Sequence, residues 1–113
     1  MYRQEIEEKL KELGIPIAYR QFTEETAVPE PYLVWYFDRS DNFGADDGVY
    51  CKIYELDIEL YTGEKDFELE EKIEEMLDAL DLFWQKEEQW LESEHLYEVL
   101  YYMEVDYAGN EEK

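Results

Sequence analysis

The stretch that decides the fold class is Tyr32-Leu33-Val34-Trp35-Tyr36-Phe37. Its aromatic and branched side chains favour extended structure, because they pack well on a pleated surface. A proline precedes the run directly, and the polar pair Asp38 and Arg39 follows it. A short apolar run with such boundaries is typical of a strand that is covered on both faces. The sequence therefore predicts that the protein is built around a β-sheet.

The chain returns through residues 49–61 in an alternating pattern that changes phase. The apolar residues of one parity are Val49, Cys51 and Ile53, and those of the other are Tyr54, Leu56, Ile58 and Leu60. Because successive strand residues point to opposite faces, this change indicates a β-bulge, which we expect near Ile53–Tyr54. The polar segment Asp38–Gly48 predicts a long hairpin loop, and we expect it to project and contact a neighbouring subunit or partner.

Two segments have the apolar spacing of helices that lie on a sheet. In residues 2–13 the apolar stripe is Ile6, Leu10 and Leu13. In residues 66–80 it is Leu69, Ile73, Met76, Leu77 and Leu80, and Asp66 is placed to cap the first turn. Each stripe is one-sided, so each helix has a single face to bury. We expect both helices to cover the same face of the sheet.

The remaining segments favour further strands. Residues 96–107 alternate between apolar and polar side chains, which predicts a strand. Residues 83–91 predict a short strand, a turn at Lys86–Glu88 and a second strand, and residues 15–22 are short and extended. The fold prediction is one α+β domain over residues 1–108, an antiparallel sheet of about four strands with two main helices on one face. Residues 109–113 are predicted to be a disordered polar tail.

Charge is the outlier of the composition. The chain has 32 Asp and Glu against 10 Lys and Arg, for a formal net charge of −22. The basic residues are scattered, whereas phosphate recognition depends on clustered Lys and Arg. We therefore expect no tight binding to nucleic acid and no binding to an anionic membrane. Solubility, a basic protein partner, a cation-rich environment and a surface that repels nucleic acid all remain open as reasons for the acidity.

The sequence predicts neither an enzyme nor a cofactor site. His95 is the single histidine and Cys51 the single cysteine, which is too few for a zinc site, and no serine lies in a nucleophile elbow. The acidic loop does not match an EF-hand, because the twelfth residue from Asp38 is Val49 instead of a glutamate. No metal site is predicted, although whether this loop binds a cation stays open. The first residues form a charged helix without an apolar signal region, which favours a cytoplasmic protein.

The aromatic residues indicate an interaction surface. Aromatic side chains make up 17% of the chain, and many of them lie in the predicted strands. Tyrosine and tryptophan are favoured where an apolar surface meets a partner and stays partly wet. The candidate interface residues are Trp35, Tyr36, Asn42, Phe43, Tyr54 and Tyr101.

Several strings of structural residues carry a family resemblance. They are Leu13-Gly14-Ile15-Pro16-Ile17-Ala18-Tyr19, residues 31–37, residues 40–46, Glu59-Leu60-Tyr61-Thr62 and the pair Lys65-Asp66. The pattern resembles the small neck proteins of tailed phages and of prophages in Gram-positive bacteria. It looks most like the tail-terminator, or tail-completion, type, and the resemblance covers residues 6 to about 105.

The resemblance implies a non-enzymatic α+β subunit that forms a ring, usually a hexamer, at the end of the tail tube. Such a ring stops tube growth and joins the tail to the head-side connector, so its partners are copies of itself, the tail-tube protein and the connector. It is assembled in the host cytoplasm and ends in the virion neck or tail. Other neck components of similar size remain open. The competing hypothesis is an acidic stand-alone protein that recognises a basic partner, as a charge mimic or inhibitor.

Overall fold

The computed structural model describes residues 1–45 and 48–108, with the backbone alone described at 43–45 and 48–51. The first half of the described chain contains α1 (Arg3–Lys11), β1 (Ile17–Tyr19), β2 (Tyr32–Ser40), β3 (Phe43–Ala45) and β4 (Gly48–Cys51). The second half contains β5 (Ile53–Thr62), α2 (Phe67–Ala79), β6 (Gln85–Leu91) and β7 (Leu96–Asp106). The predicted tail at 109–113 lies outside the described residues.

The main sheet confirms the predicted α+β class and has one strand more than expected. Its five strands lie in the order β1-β2-β5-β7-β6. All neighbouring pairs are antiparallel except β1 and β2, which are parallel. The additional strand β1 has three residues, too few for an alternating pattern to be recognised in the sequence. The sequence identified its segment only as extended.

Both predicted helices are confirmed, and both lie on the same face of the sheet. Asp66 caps α2 as expected, since its carboxylate accepts a hydrogen bond from the Leu69 backbone N–H at 3.0 Å. The buried side chains of the helices and of one sheet face form one cluster: Ile6, Leu10, Leu33, Trp35, Leu56, Ile58, Leu60, Leu69, Ile73, Leu77, Val99, Tyr101, Met103 and Val105. Among the described residues, no helix is long and apolar enough to cross a membrane.

The predicted long loop at Asp38–Gly48 is largely extended. β2 continues through Ser40, and β3 pairs with β4 as a separate antiparallel hairpin. This corrects the sequence prediction, because polar residues and glycines in this segment have low strand propensity but are held by backbone pairing. Residues 46–47 lie outside the part of the chain that the structure describes.

The predicted bulge is displaced along the chain and lies on the partner strand. The strand run is interrupted at Lys52, between β4 and β5. The register between β2 and β5 shifts between Phe37 and Arg39, so that Asp38 is the extra residue. The phase change in the sequence of residues 49–61 therefore marks a real irregularity of the sheet. The position of the bulge depends on how β2 pairs with β5, and the sequence of β5 alone does not contain that pairing.

The predicted turn at Lys86–Glu88 is wrong, because these residues lie inside the continuous strand β6. Lys86 pairs with Tyr101 of β7. The chain turns instead after Leu91, where the Glu94 N–H donates to the Leu91 carbonyl at 3.2 Å and His95 has a positive φ of 54°. Six of the seven β6 residues are exposed, so the strand has no apolar face from which its extended structure could be recognised.

Candidate interaction surface

Two of the residues predicted to form an interface are core residues. Trp35 is 3% exposed and Tyr101 is fully buried. The Tyr101 hydroxyl donates to Glu74 Oε2 at 2.7 Å, beneath helix α2. Both lie on the sheet face that the helices cover, so neither presents an exposed ring to a partner. This corrects the sequence prediction for these two positions.

The predicted residues Tyr36 and Tyr54 are half-buried and lie on opposite faces of the sheet. Tyr54 stacks on Tyr107 with 4.3 Å between ring centroids, beside the core. Tyr36 lies on the face that the helices leave open, and the Arg20 guanidinium lies 4.4 Å from its ring centroid. Tyr36 therefore keeps a surface position, whereas Tyr54 is mainly a packing residue.

The predicted residues Asn42 and Phe43 lie where the β3–β4 hairpin leaves the main sheet. Asn42 is exposed, and its Oδ1 accepts a hydrogen bond from the Ile53 N–H at 3.3 Å. Phe43 opens β3 and pairs with Cys51, and its side chain lies outside the described part. Asn42 thus holds the base of the hairpin against the start of β5.

The open face of the sheet carries a hydrogen-bonded row of tyrosines and acids. Tyr36 donates to Glu59 Oε2 at 2.5 Å, and the Tyr61 hydroxyl lies 2.6 Å from both Glu59 Oε1 and Glu98 Oε2. Gln89 Nε2 donates to the other oxygen of Glu98, so the row crosses β2, β5, β7 and β6. A phenol has one proton, and Tyr61 therefore donates to one of its two carboxylates at a time.

Burial beside carboxylates shifts the pKa of three tyrosines, two in this row and Tyr101 in the core, in the same direction. Burial raises the pKa of Tyr36, Tyr61 and Tyr101, and the carboxylates that accept their hydrogen bonds raise it further. The folded chain therefore keeps these phenol protons above about pH 10, where an unfolded tyrosine releases them. A proton held by the folded state and lost by the unfolded state lowers stability as the pH rises.

We consequently expect these tyrosines to leave the free energy of unfolding unchanged below about pH 10. Above about pH 10 the free energy of unfolding should fall steeply. Ultraviolet absorbance of tyrosinate, recorded together with circular dichroism, measures both events. Tyr36, Tyr61 and Tyr101 should ionise only when the circular dichroism signal of the folded chain is lost. Ionisation of all tyrosines in one folded-state transition would contradict the prediction.

Exposed aromatic rings border the strand β6 at the sheet edge. Phe83 is 83% exposed, Phe67 68% and Trp90 44%. Phe67 is connected to this edge through Lys65, whose ammonium lies 4.9 Å from the Phe67 ring centroid and also pairs with Glu88. We call this region, Phe67, Phe83 and residues 85–91, the β6 edge surface. Within the described residues β6 has a strand on one side only, so its other side presents unpaired backbone groups.

The opposite edge of the sheet carries a groove. It has a volume of about 410 Å³ and is lined by Arg3, Glu7, Ile17, Ala18, Tyr19, Trp35, Phe37 and Tyr107. Tyr19 is 49% exposed at its rim, and Arg20 follows directly, where its guanidinium donates to the Phe37 carbonyl at 3.2 Å. We call this region the β1 groove. It combines apolar walls with the charged pair Arg3 and Glu7.

Comparison with known proteins adds no relative to this description. No protein-family model matches the chain, and no curated protein matches it significantly.

Proposed function

We propose that this protein is a non-enzymatic structural subunit of a phage or prophage neck, which ends the tail tube and joins the tail to the head as part of a ring. It assembles in the host cytoplasm and remains in the virion neck or tail. The observation that supports this proposal best is the pair of unlike surfaces at the two edges of one sheet. A chain with two different complementary surfaces makes head-to-tail contacts, which close into a ring when the rotation between neighbours allows it.

The two surfaces complement each other in shape, and each carries a charge that can pair across a contact. The β6 edge surface projects the rings of Phe83 and Trp90, whereas the β1 groove is concave and partly apolar. Glu87 is exposed on β6, while Arg3 lines the groove. Aromatic anchors in apolar pockets supply most of the binding energy at protein interfaces, and surrounding opposite charges favour the correct orientation.

The acidity is compatible with a ring through which DNA passes. The open face carries a row of carboxylates on β5 and β7, and the outer side of α2 carries further exposed acids such as Glu71 and Glu75. Whichever of these faces lines a central channel, its charge repels phosphates and prevents DNA from adhering. The same charge opposes ring closure, and added salt should therefore strengthen assembly by screening the repulsion between subunits.

We test the ring with Phe83→Ser, which removes the most exposed ring of the β6 edge surface. Sedimentation of wild type across a salt series, with and without tail tubes, should show a larger species at high salt or on tube ends. Phe83→Ser should weaken this assembly about tenfold or more, since interface anchors contribute 2 kcal/mol or more, roughly. Its unfolding free energy should change by less than about 0.5 kcal/mol, because the side chain is on the surface.

Glu75→Gln, exposed on the outer side of α2, is the matched surface control and should assemble like wild type. A wild-type chain that stays monomeric at high salt and neither caps tubes nor limits their length would contradict the neck proposal. The net charge of −22 then favours the second candidate function, recognition of a basic protein partner. That function predicts a complex whose affinity falls with added salt.

A further inference from the structure

Three carboxylates converge at the irregular end of the β2–β5 pair. Asp38, Glu55 and Asp57 each bring one oxygen to a point where all three lie within 4.8 Å of one another. The register shift is the cause, because Asp38 is the extra residue of the bulge and stands with Arg39 opposite Glu55. This cluster lies on the open face of the sheet, where Glu55 also lines a cavity with Phe83 and Gln85 of the β6 edge surface.

The Asp57 carboxylate distinguishes this cluster from the exposed acids elsewhere. Asp57 is 6% exposed, and its Oδ1 is buried without a hydrogen-bond partner. A buried carboxylate normally has donors around it, because an unpaired buried charge is costly. Glu70, which is as deeply buried, satisfies this rule through the ammonium groups of Lys65 and Lys86. Near Asp57, by contrast, the neighbouring charged groups are the carboxylates of Asp38 and Glu55.

The charged side chains around the cluster carry more negative than positive charge. Arg39 Nε approaches Glu55 Oε1 at 3.3 Å, but the Arg39 side chain is 73% exposed. Glu104 of β7 stands opposite Glu55, and Tyr36 and Tyr102 stand opposite Asp57 on its two neighbouring strands. Like charges directly opposite one another destabilise a sheet.

We propose that Asp38, Glu55 and Asp57 together bind one divalent cation of the hard, oxygen-preferring class, with Ca²⁺ as the best fit. Oxygen ligands of one Ca²⁺ ion are at most about 4.6–5.2 Å apart, so three oxygens within 4.8 Å of one another can belong to a single Ca²⁺ coordination shell. Mg²⁺ requires a tighter octahedron, and Zn²⁺ prefers nitrogen and sulfur ligands, which the cluster lacks. The proposal does not depend on the neck function.

The position of the cluster gives the cation a structural role. It ties β2 to β5 immediately before the chain leaves the main sheet for the β3–β4 hairpin. Beside it the Asp41 N–H donates to the Ile53 carbonyl at 2.7 Å, and Asn42 accepts from the Ile53 N–H. A bound cation would neutralise the repulsion among the three carboxylates at the base of the hairpin. It would thereby fix the direction in which the β3–β4 hairpin leaves the main sheet.

Calorimetric titration with CaCl₂ alone tests the site, in about 0.15 M NaCl so that diffuse attraction to the acidic surface is screened. Wild type should bind one Ca²⁺ with saturation, and MgCl₂ should bind more weakly. Asp57→Asn should weaken Ca²⁺ binding about tenfold or more, because affinity follows the number of charged ligands. Asp38→Asn, a change at an exposed position, should weaken it in the same direction. Glu75→Gln removes the same charge elsewhere and should bind Ca²⁺ like wild type.

Thermal unfolding separates binding from a folding defect. Without Ca²⁺, Asp57→Asn should unfold at a higher temperature than wild type, because it removes a buried charge among acids. With Ca²⁺, wild type should gain stability and Asp57→Asn should not. Unsaturable Ca²⁺ uptake by wild type, or equal binding by wild type, Asp57→Asn and Glu75→Gln, would overturn the proposal and leave only general attraction of cations to an acidic protein.

Discussion

Trp35→Ala is expected to lower the free energy of unfolding by about 3–5 kcal/mol, the usual cost of removing a large buried aromatic side chain. Trp35 is 3% exposed, and its ring makes edge contacts with Tyr19 at 4.9 Å and Phe37 at 5.8 Å between centroids. The neighbouring side chains can relax only partly into the space it leaves. Since small domains are stable by about 5–15 kcal/mol, the loss is a large share of the total.

Urea unfolding followed by far-ultraviolet circular dichroism measures this loss. Trp90→Ala is the matched control, because the same side chain is 44% exposed there at the β6 edge surface. We expect Trp90→Ala to cost less than about 1 kcal/mol of stability and to weaken assembly instead. If Trp35→Ala left stability unchanged and only abolished assembly, Trp35 would be an interface residue, as its sequence pattern first indicated.

The second large effect concerns Glu70, a buried carboxylate held by two lysines. Glu70 is 2% exposed, with Lys65 Nζ at 2.5 Å and Lys86 Nζ at 3.1 Å from its two oxygens. Replacing both lysines by methionine keeps their apolar stems and leaves the carboxylate buried without a counter-charge. We expect this double variant to be less stable by about 3–5 kcal/mol, as for other broken buried ion pairs.

Lys72→Met, on the exposed side of α2, removes a lysine without touching Glu70 and should change stability by less than about 0.5 kcal/mol. Adding Glu70→Gln to the double variant should recover most of the loss, because the uncompensated charge is then gone. Chemical denaturation of the four proteins at neutral pH makes the comparison. A double variant as stable as wild type, or no recovery with Glu70→Gln, would mean that the buried charge carries no such cost.

The elements that the sequence predicts well are those whose burial is one-sided and regular. α2 and β7 each keep one apolar stripe for their whole length, and their observed bounds follow the predicted ones closely. The strand β6 could not be predicted in this way, because it is an exposed edge strand formed by pairing with β7. The β3–β4 hairpin is likewise held by pairing between short strands, which leaves no periodic signal.

The candidate surfaces were less predictable than the fold for a related reason. In a continuous apolar strand, neighbouring side chains point to opposite faces, and the sequence does not say which face the helices cover. Trp35 and Tyr36 illustrate this, since one is buried under the helices and the other lies on the open face. The carboxylate cluster depends on the β2–β5 register and on the extra residue Asp38. Both properties arise between strands, so the sequence of either strand alone does not contain them.

The polar edge strand β6 also has a consequence for how the protein behaves at high concentration. An unpaired strand edge can template amyloid-like stacking of identical chains. The segment Gln85–Leu91 resists this, because in-register stacking would place Glu87 and Glu88 of each chain directly on the same residues of the next. Self-templated fibril growth along this edge is therefore disfavoured, while pairing with a different, cationic surface is not. The acidic side chains of β6 thus also protect the free chain from precipitating through this edge.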